Sequence, residues 1–184
     1  MTLRDNLILL FAAALVTGLL VPFVSSRMNE RRAVQRRQAE EALARDSKFI
    51  AAQADFLDRL STDLWRLAGR LLAVSYYATQ SSEQFTEAWR RYDEASFDEL
   101  FGLRAHVSQA QRMVSDSGSE QLSDLHTWIF GELDPALTMK ARSMSSDAGS
   151  EDWSTFHTAT MGQLFTRIDT VLHTIAIDVG VIHR

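Results

Sequence analysis

Cysteine is absent from this chain of 184 residues, proline occurs only twice and glycine only eight times. Average usage would supply roughly 9 prolines and 13 glycines. Without cysteine there are no disulfides, no thiolate metal sites and no thiol nucleophiles. The shortage of turn formers leaves too little hairpin chemistry for an all-β fold. It also leaves too few glycine loops for repeated α/β crossovers. The length suits about one domain, and 46% hydrophobic against 23% charged residues is not the composition of a disordered chain.

Charge is unevenly spread. Residues 27–48 hold seven bases and four acids, whereas residues 49–184 hold 11 bases and 19 acids. The acidic remainder argues against nucleic acid as a partner, because phosphates demand a basic surface.

The basic stretch follows the chain's one long apolar run. Asn6–Ser26 contains no charge, and Leu7–Val24 is almost wholly apolar. Eighteen such residues suffice to cross a hydrocarbon core of about 30 Å. A cleaved signal peptide is the competing reading, with Val24 and Ser26 near a passable cleavage point. Arg27–Arg37, with five arginines and one glutamate, acts instead as a stop to translocation. The expectation is therefore an uncleaved signal-anchor, a single-pass transmembrane helix over residues 1–26. The positive-inside rule puts the C-terminal domain on the cytoplasmic side of a cell inner membrane. Arg27, Arg31, Arg32, Arg36 and Arg37 then stand at the membrane surface. There they either set topology alone or hold anionic lipid headgroups at about 1 kcal/mol each. Arginine outnumbers lysine 17 to 2, which suggests a GC-rich bacterial genome.

Beyond the span the apolar pattern is helical. Ile50, Gln53, Leu57, Leu60, Leu64, Leu67, Leu71 and Val74 step by three and four, the seam of a coiled coil or bundle. Ser81-x-x-Gln84 fits a capping box for a second helix with Phe85, Trp89, Tyr92, Leu100, Leu103 and Val107 inward. Ser115–Gly118 reads as a turn, and Ser117-x-x-Glu120 as the cap of a third helix. Pro135 interrupts that third helix, and Asp134-Pro135 is a good Ncap–N1 pair, so a kink or a restart is expected there. After a loop at Ser145–Ser150, Trp153, Leu164, Ile168, Val171, Ile175 and Val179 line a fourth. The expected spans are 48–80, 83–115, 119–144 and 151–182. Gly69, Gly102, Gly131 and Gly162 fall inside helices, where they would allow close packing. The fold class is all-α: an N-terminal transmembrane helix (1–26), a basic helical stalk (27–47) and an up-down antiparallel four-helix bundle (48–184).

Catalytic motifs do not emerge. A di-metal bundle needs Glu-x-x-His on two helices, and none occurs. Neither a phosphate loop nor a nucleophile elbow is present. No catalytic residue, metal ligand or cofactor is expected, and the protein is read as a non-enzyme. Aromatic residues crowd the first turn, and Tyr76, Tyr77, Trp89, Arg90, Arg91 and Tyr92 are candidates for a ligand pocket. Large core side chains are the blander account of the same residues.

A membrane span that runs into a helical bundle is similar in outline to bacterial chemoreceptor sensor domains. Those return to the membrane through a second span, for which Ile175–Arg184 offers no counterpart, so no residue role is carried over. Two functions remain: a scaffold, assembly factor or accessory subunit that binds a protein partner or forms a homo-oligomer, and a ligand sensor that signals along its stalk. A metal or haem enzyme ranks last.

Overall fold

The computed structural model describes residues 21–143 and 150–181. All regular structure among them is helical. Helix α1 spans Val21–Tyr77, α2 Ser82–Met113, α3 Asp116–Trp128, α4 Asp134–Ser143 and α5 Ser150–Asp178, with a π-helical turn, Ile129–Leu133, joining α3 to α4. The chain divides into two compact units, Met1–Phe49 and Ile50–Arg184.

In the first unit, side chains from Arg32 to Phe49 are exposed apart from half-buried Ala42. Val34 and Leu43 are largely exposed here, at 53% and 69%. Local contacts such as Arg45 Nε donating to the Glu41 carbonyl at 3.3 Å support the helix. Most of the apolar run Leu7–Val24 lies outside the described residues. Among those described, no helix is long and apolar enough to cross a membrane.

The second unit is built on the helical stripes. Phe56, Leu60, Leu64, Leu67, Leu71 and Val74 of α1 are buried to 2% exposure or less. They meet Tyr92, Leu103 and Val107 of α2, Leu122, Leu125 and Ile129 of the third rod, and Trp153, Leu164, Ile168 and Ile175 of α5 in one core. Polar contacts give the directions. Asp63 pairs with His106, and Arg70 with Glu99, so α1 and α2 are antiparallel. Ser115 with Asp178 and Thr174 with Gln121 make α3 and α5 antiparallel, Trp65 with Phe165 and Ser75 with His157 do the same for α1 and α5, and Tyr92 bonds Asp134 across from α2 to the third rod. The seam begins later than its periodicity suggests, since Ile50 is 57% exposed and burial starts at Phe56.

Helix ends follow their caps. The Ser81 side chain accepts from the Gln84 N–H, as its spacing predicts. For α3 the cap is Ser115 rather than Ser117: its Oγ accepts from Gly118 N–H at 3.2 Å and donates to Asp178 at 2.5 Å. Gly118 is therefore inside the first turn, not in a loop, and a Cβ there would sit 2.7 Å from the Asp178 carboxylate. Helix α5 stops at Asp178 instead of 182, because Gly180 turns left-handed (φ 74°). Gly180 N–H then bonds the Ile177 carbonyl and Val181 N–H the Ala176 carbonyl, the pattern of a Schellman cap. The other interior glycines do not serve close packing, since a Cβ at Gly69, Gly102, Gly131 or Gly162 would meet nothing within 4 Å.

Pro135 neither restarts the helix nor uses Asp134 as a cap. Asp134 is itself helical, and its N–H reaches back five residues to Ile129. Proline lacks an N–H, and its ring clashes with the carbonyl four residues earlier in a regular helix. One wider π turn just before Pro135 removes that conflict and keeps the rod continuous.

Candidate functional site

The expected aromatic cluster is dispersed by the geometry of the first turn. Tyr92 points into the core, and its hydroxyl donates to Asp134 Oδ1 at 2.6 Å. Burial, and then that carboxylate, push the Tyr92 phenol well above its ordinary range. Trp89 is half-buried against Tyr92, with ring centroids 5.8 Å apart. Tyr76 is 48% exposed and packs edge-on against Tyr77. Arg90 binds Glu87 and Glu94, at 2.9 and 2.7 Å, on the outer face of α2.

Tyr77 and Arg91 alone of these six line an open groove of about 840 Å³ between α1 and α2. Gly69, Ala73, Ala88 and Ala95 give it small side chains, and Arg70, Glu83, Glu87 and Glu94 give it charges. Arg91 binds Glu87 at 2.6 Å. Hydrogen bonds from Arg90 and Arg91 hold the Glu87 carboxyl down at about 2. Arg70 is held from two sides, by Glu99 at 3.2 Å and by the Arg91 carbonyl at 3.1 Å. Glu99 is enclosed in this seam: its Oε2 is buried without a hydrogen-bond partner, and burial raises its pKa against the pull of Arg70.

Two histidine pairs look like chemistry and are better read as clips. Ser75 is fully buried; its Oγ lies 2.8 Å from His157 Nδ1 and donates to the Leu72 carbonyl at 3.1 Å. Ser75 Oγ is thus tied to its own helix through the Leu72 carbonyl and to α5 through His157, a contact that clips α1 to α5. His106 Nε2 meets Asp63 Oδ2 at 2.8 Å while its ring packs on Phe56. Among the described residues no three His, Asp or Glu side chains gather closely enough to hold a metal ion.

The arginines expected at the membrane surface lie in the first unit. Arg27, Arg32, Arg36 and Arg37 are exposed, with Arg31 in the same helical stretch. Their spacing at 100° per residue spreads them around α1 rather than along one face.

A surface feature escaped the sequence reading. Phe97 and Phe101 are 68% and 53% exposed on α2, with ring centroids 4.5 Å apart. Phe130, in the π turn, is 51% exposed and stacked on His126. The register set by Tyr92 and Asp134 brings Phe130 level with Ser96 and Phe97. The available signal is phase: Phe97 and Phe101 each fall one residue beyond the inward positions 96 and 100. Burial, and then the nearby Arg104, lower the His126 pKa, so the edge of this patch favours a neutral imidazole. No known protein family, curated protein or solved structure matches the chain.

Proposed function

We propose that this is a non-enzymatic, membrane-anchored helical bundle that works by binding other proteins, as a scaffold, assembly factor or accessory subunit of a membrane complex. The observation that carries the reading is the exposed aromatic pair Phe97 and Phe101, packed ring on ring on α2, with Phe130 exposed on the neighbouring rod. Contiguous exposed apolar surface is the kind that marks interaction sites. The anchor is Leu7–Val24, and the arginines of 27–37 hold the following domain on the cytoplasmic side. Purification from native membranes in mild detergent tests both parts. A stoichiometric partner recovered by the wild type and lost by Phe97→Ser/Phe101→Ser supports the reading. A chain extracted by alkaline carbonate, or one that recovers the same proteins with and without the phenylalanines, removes it.

The groove beside Tyr77 and Arg91 favours a second reading, a bundle that senses a small ligand and signals along α1. Its volume suits a small molecule. Melting shifts across a panel of amino acids, carboxylates and amines check it, and a flat panel sinks it.

A further inference from the structure

Two polar clasps join α1 to α2, one heptad apart. Asp63 and Arg70 stand seven residues apart on α1, as do Glu99 and His106 on α2, and the antiparallel register pairs Asp63 with His106 and Arg70 with Glu99. They differ in how fully each carboxylate is held. Asp63 is bonded at both oxygens, Oδ2 to His106 at 2.8 Å and Oδ1 to Arg66 at 3.2 Å. Glu99 Oε1 meets Arg70 Nε at 3.2 Å, while its Oε2 is buried with no partner. A charge enclosed in this way is costly unless all of its lone pairs are met. The charged groups facing Glu99 from α1 are Arg70, Arg66 and Asp63. Arg66 is engaged by Asp63, and Tyr92, the titratable neighbour on α2 itself, gives its proton to Asp134 of α4. Among the described residues Arg70 is therefore the one group that bonds Glu99. Arg70 also has a second station, since its Nη1 donates to the Arg91 carbonyl at 3.1 Å and its side chain lines the open groove.

We propose that Glu99 is a proton-operated latch between α1 and α2: on taking up one proton from solvent it gives up Arg70 to the groove, while the clasp of Asp63 with His106 stays closed. The proton binds the Glu99 carboxylate, Arg70 keeps its charge, and no other bond forms or breaks. Burial works in the same direction, raising the Glu99 pKa against the pull of Arg70 and Arg66. The second clasp does not open with the first, because an imidazole gains charge as pH falls and binds a carboxylate more strongly in that form. On the groove side Gly69, Ala73 and Ala95 flank Arg70 with little bulk, so few side-chain contacts hold the seam once the ion pair is gone. Acidification thus loosens α1 from α2 at one clasp and not at the other, a local charge change that biases a packed element. The latch requires neither a ligand in the groove nor a protein partner, and it stands apart from both readings of function above.

Nuclear magnetic resonance of the full-length chain in detergent tests the latch directly, with carbon-13 in the glutamate carboxyls and nitrogen-15 in the arginine side chains. The titration runs from about pH 7.5 to about pH 4, across the ordinary carboxylate range. The Glu99 signal, identified by its loss in Glu99→Gln, should titrate above the exposed glutamates. The Arg70 Nε–H signal should move with the same midpoint. In Glu99→Gln, which mimics the protonated carboxyl, Arg70 should hold its low-pH position throughout. The cysteine-free chain also allows paired spin labels. Thr62→Cys/Ser108→Cys lies level with the His106 clasp, and Tyr76→Cys/Asp93→Cys lies beyond the Glu99 clasp, all four at exposed positions. The second distance should lengthen on acidification, and should already be long near neutrality when Glu99→Gln is added, while the first stays unchanged. Circular dichroism confirms that each variant is folded. The wild-type titration stands without any variant that fails this check, because the Arg70 midpoint is read on the native chain. A Glu99 that titrates with the exposed glutamates overturns the proposal. So does an Arg70 signal that ignores it, or a second distance that does not respond to pH.

Discussion

Helix α1 contains two regimes in one unbroken element. From Arg32 to Phe49 all side chains but Ala42 are exposed, whereas from Phe56 to Val74 every third or fourth is excluded from water. The first stretch depends on what a helix can supply to itself, namely the propensities of Ala, Arg, Glu and Gln and short-range side-chain contacts. Alone, such helices are marginal in water. The second depends on the faces it buries, so it tolerates residues of poorer propensity such as Ser75, Tyr76 and Tyr77 near its end. Continuity of backbone therefore says little about what holds a helix.

The sharpest contrast is between two leucines on this helix. Leu64 is 1% exposed and Leu43 is 69% exposed. Leu64→Ala leaves a cavity and should cost about 2–5 kcal/mol in chemical denaturation. Leu43→Ala should stay within about 0.5 kcal/mol. Equal losses at the two sites would break the distinction.

A proline probes the exposed regime directly. Ala39→Pro removes one backbone hydrogen bond and crowds the preceding turn, at a local cost of about 3 kcal/mol. All four tryptophans, Trp65, Trp89, Trp128 and Trp153, lie in the second unit. Far-UV circular dichroism should lose helix while the tryptophan-detected melting point stays unchanged. A parallel fall in both signals would show that residues near 39 contribute to the bundle after all.

Glycines sharpen the comparison inside the packed unit. At Gly118 a Cβ meets the Asp178 carboxylate at 2.7 Å, and that carboxylate is already held by Ser115. At Gly162 a Cβ meets nothing within 4 Å. Gly118→Ala should destabilise by about 1–2 kcal/mol through displacement of the capping network. Gly162→Ala should instead stabilise by roughly 0.5–1 kcal/mol, as alanine does in an unobstructed helix interior. Thermal melts of the pair with opposite signs are the expected result.

These cases also show what the sequence could and could not reveal. The inward stripes from Leu60 to Val74 and from Leu164 to Val179 were legible because burial repeats with the helical period. The Ser81 cap was legible because its partner is three residues away. What failed depended on partners distant in sequence. Ser115 prevails over Ser117 because Asp178, 63 residues on, receives its hydroxyl. Asp134 does not cap because Tyr92 occupies its carboxylate and a π turn absorbs the proline. Tyr76, Tyr77, Trp89, Arg90, Arg91 and Tyr92 are neighbours in sequence, yet helical rotation sends Tyr92 to the core and Arg90 to the outer face. Proximity along a helix is not proximity around it.

The smallest expected effect lies on the bundle's surface, where α2 reverts to the self-supporting regime. Glu87 binds Arg90 and Arg91 within one turn, and these contacts hold its carboxyl down at about 2 from an ordinary value of 4.5. A carboxylate with a lowered folded pKa contributes stability that is present above pH 4.5 and is lost as pH falls from 4.5 towards 2. Glu99, on the same helix, has the opposite sign. Its pKa is raised by burial, so its effect on stability improves as pH falls through the raised value. Glu87→Gln should therefore be slightly less stable than the wild type near neutrality, with the difference vanishing between pH 4.5 and 2. Because the pair is largely solvated, 1 M salt should shrink the gap as well. A difference that persisted at pH 2, or that ignored salt, would mean that Glu87 acts by packing and that the outer face of α2 belongs to the buried regime.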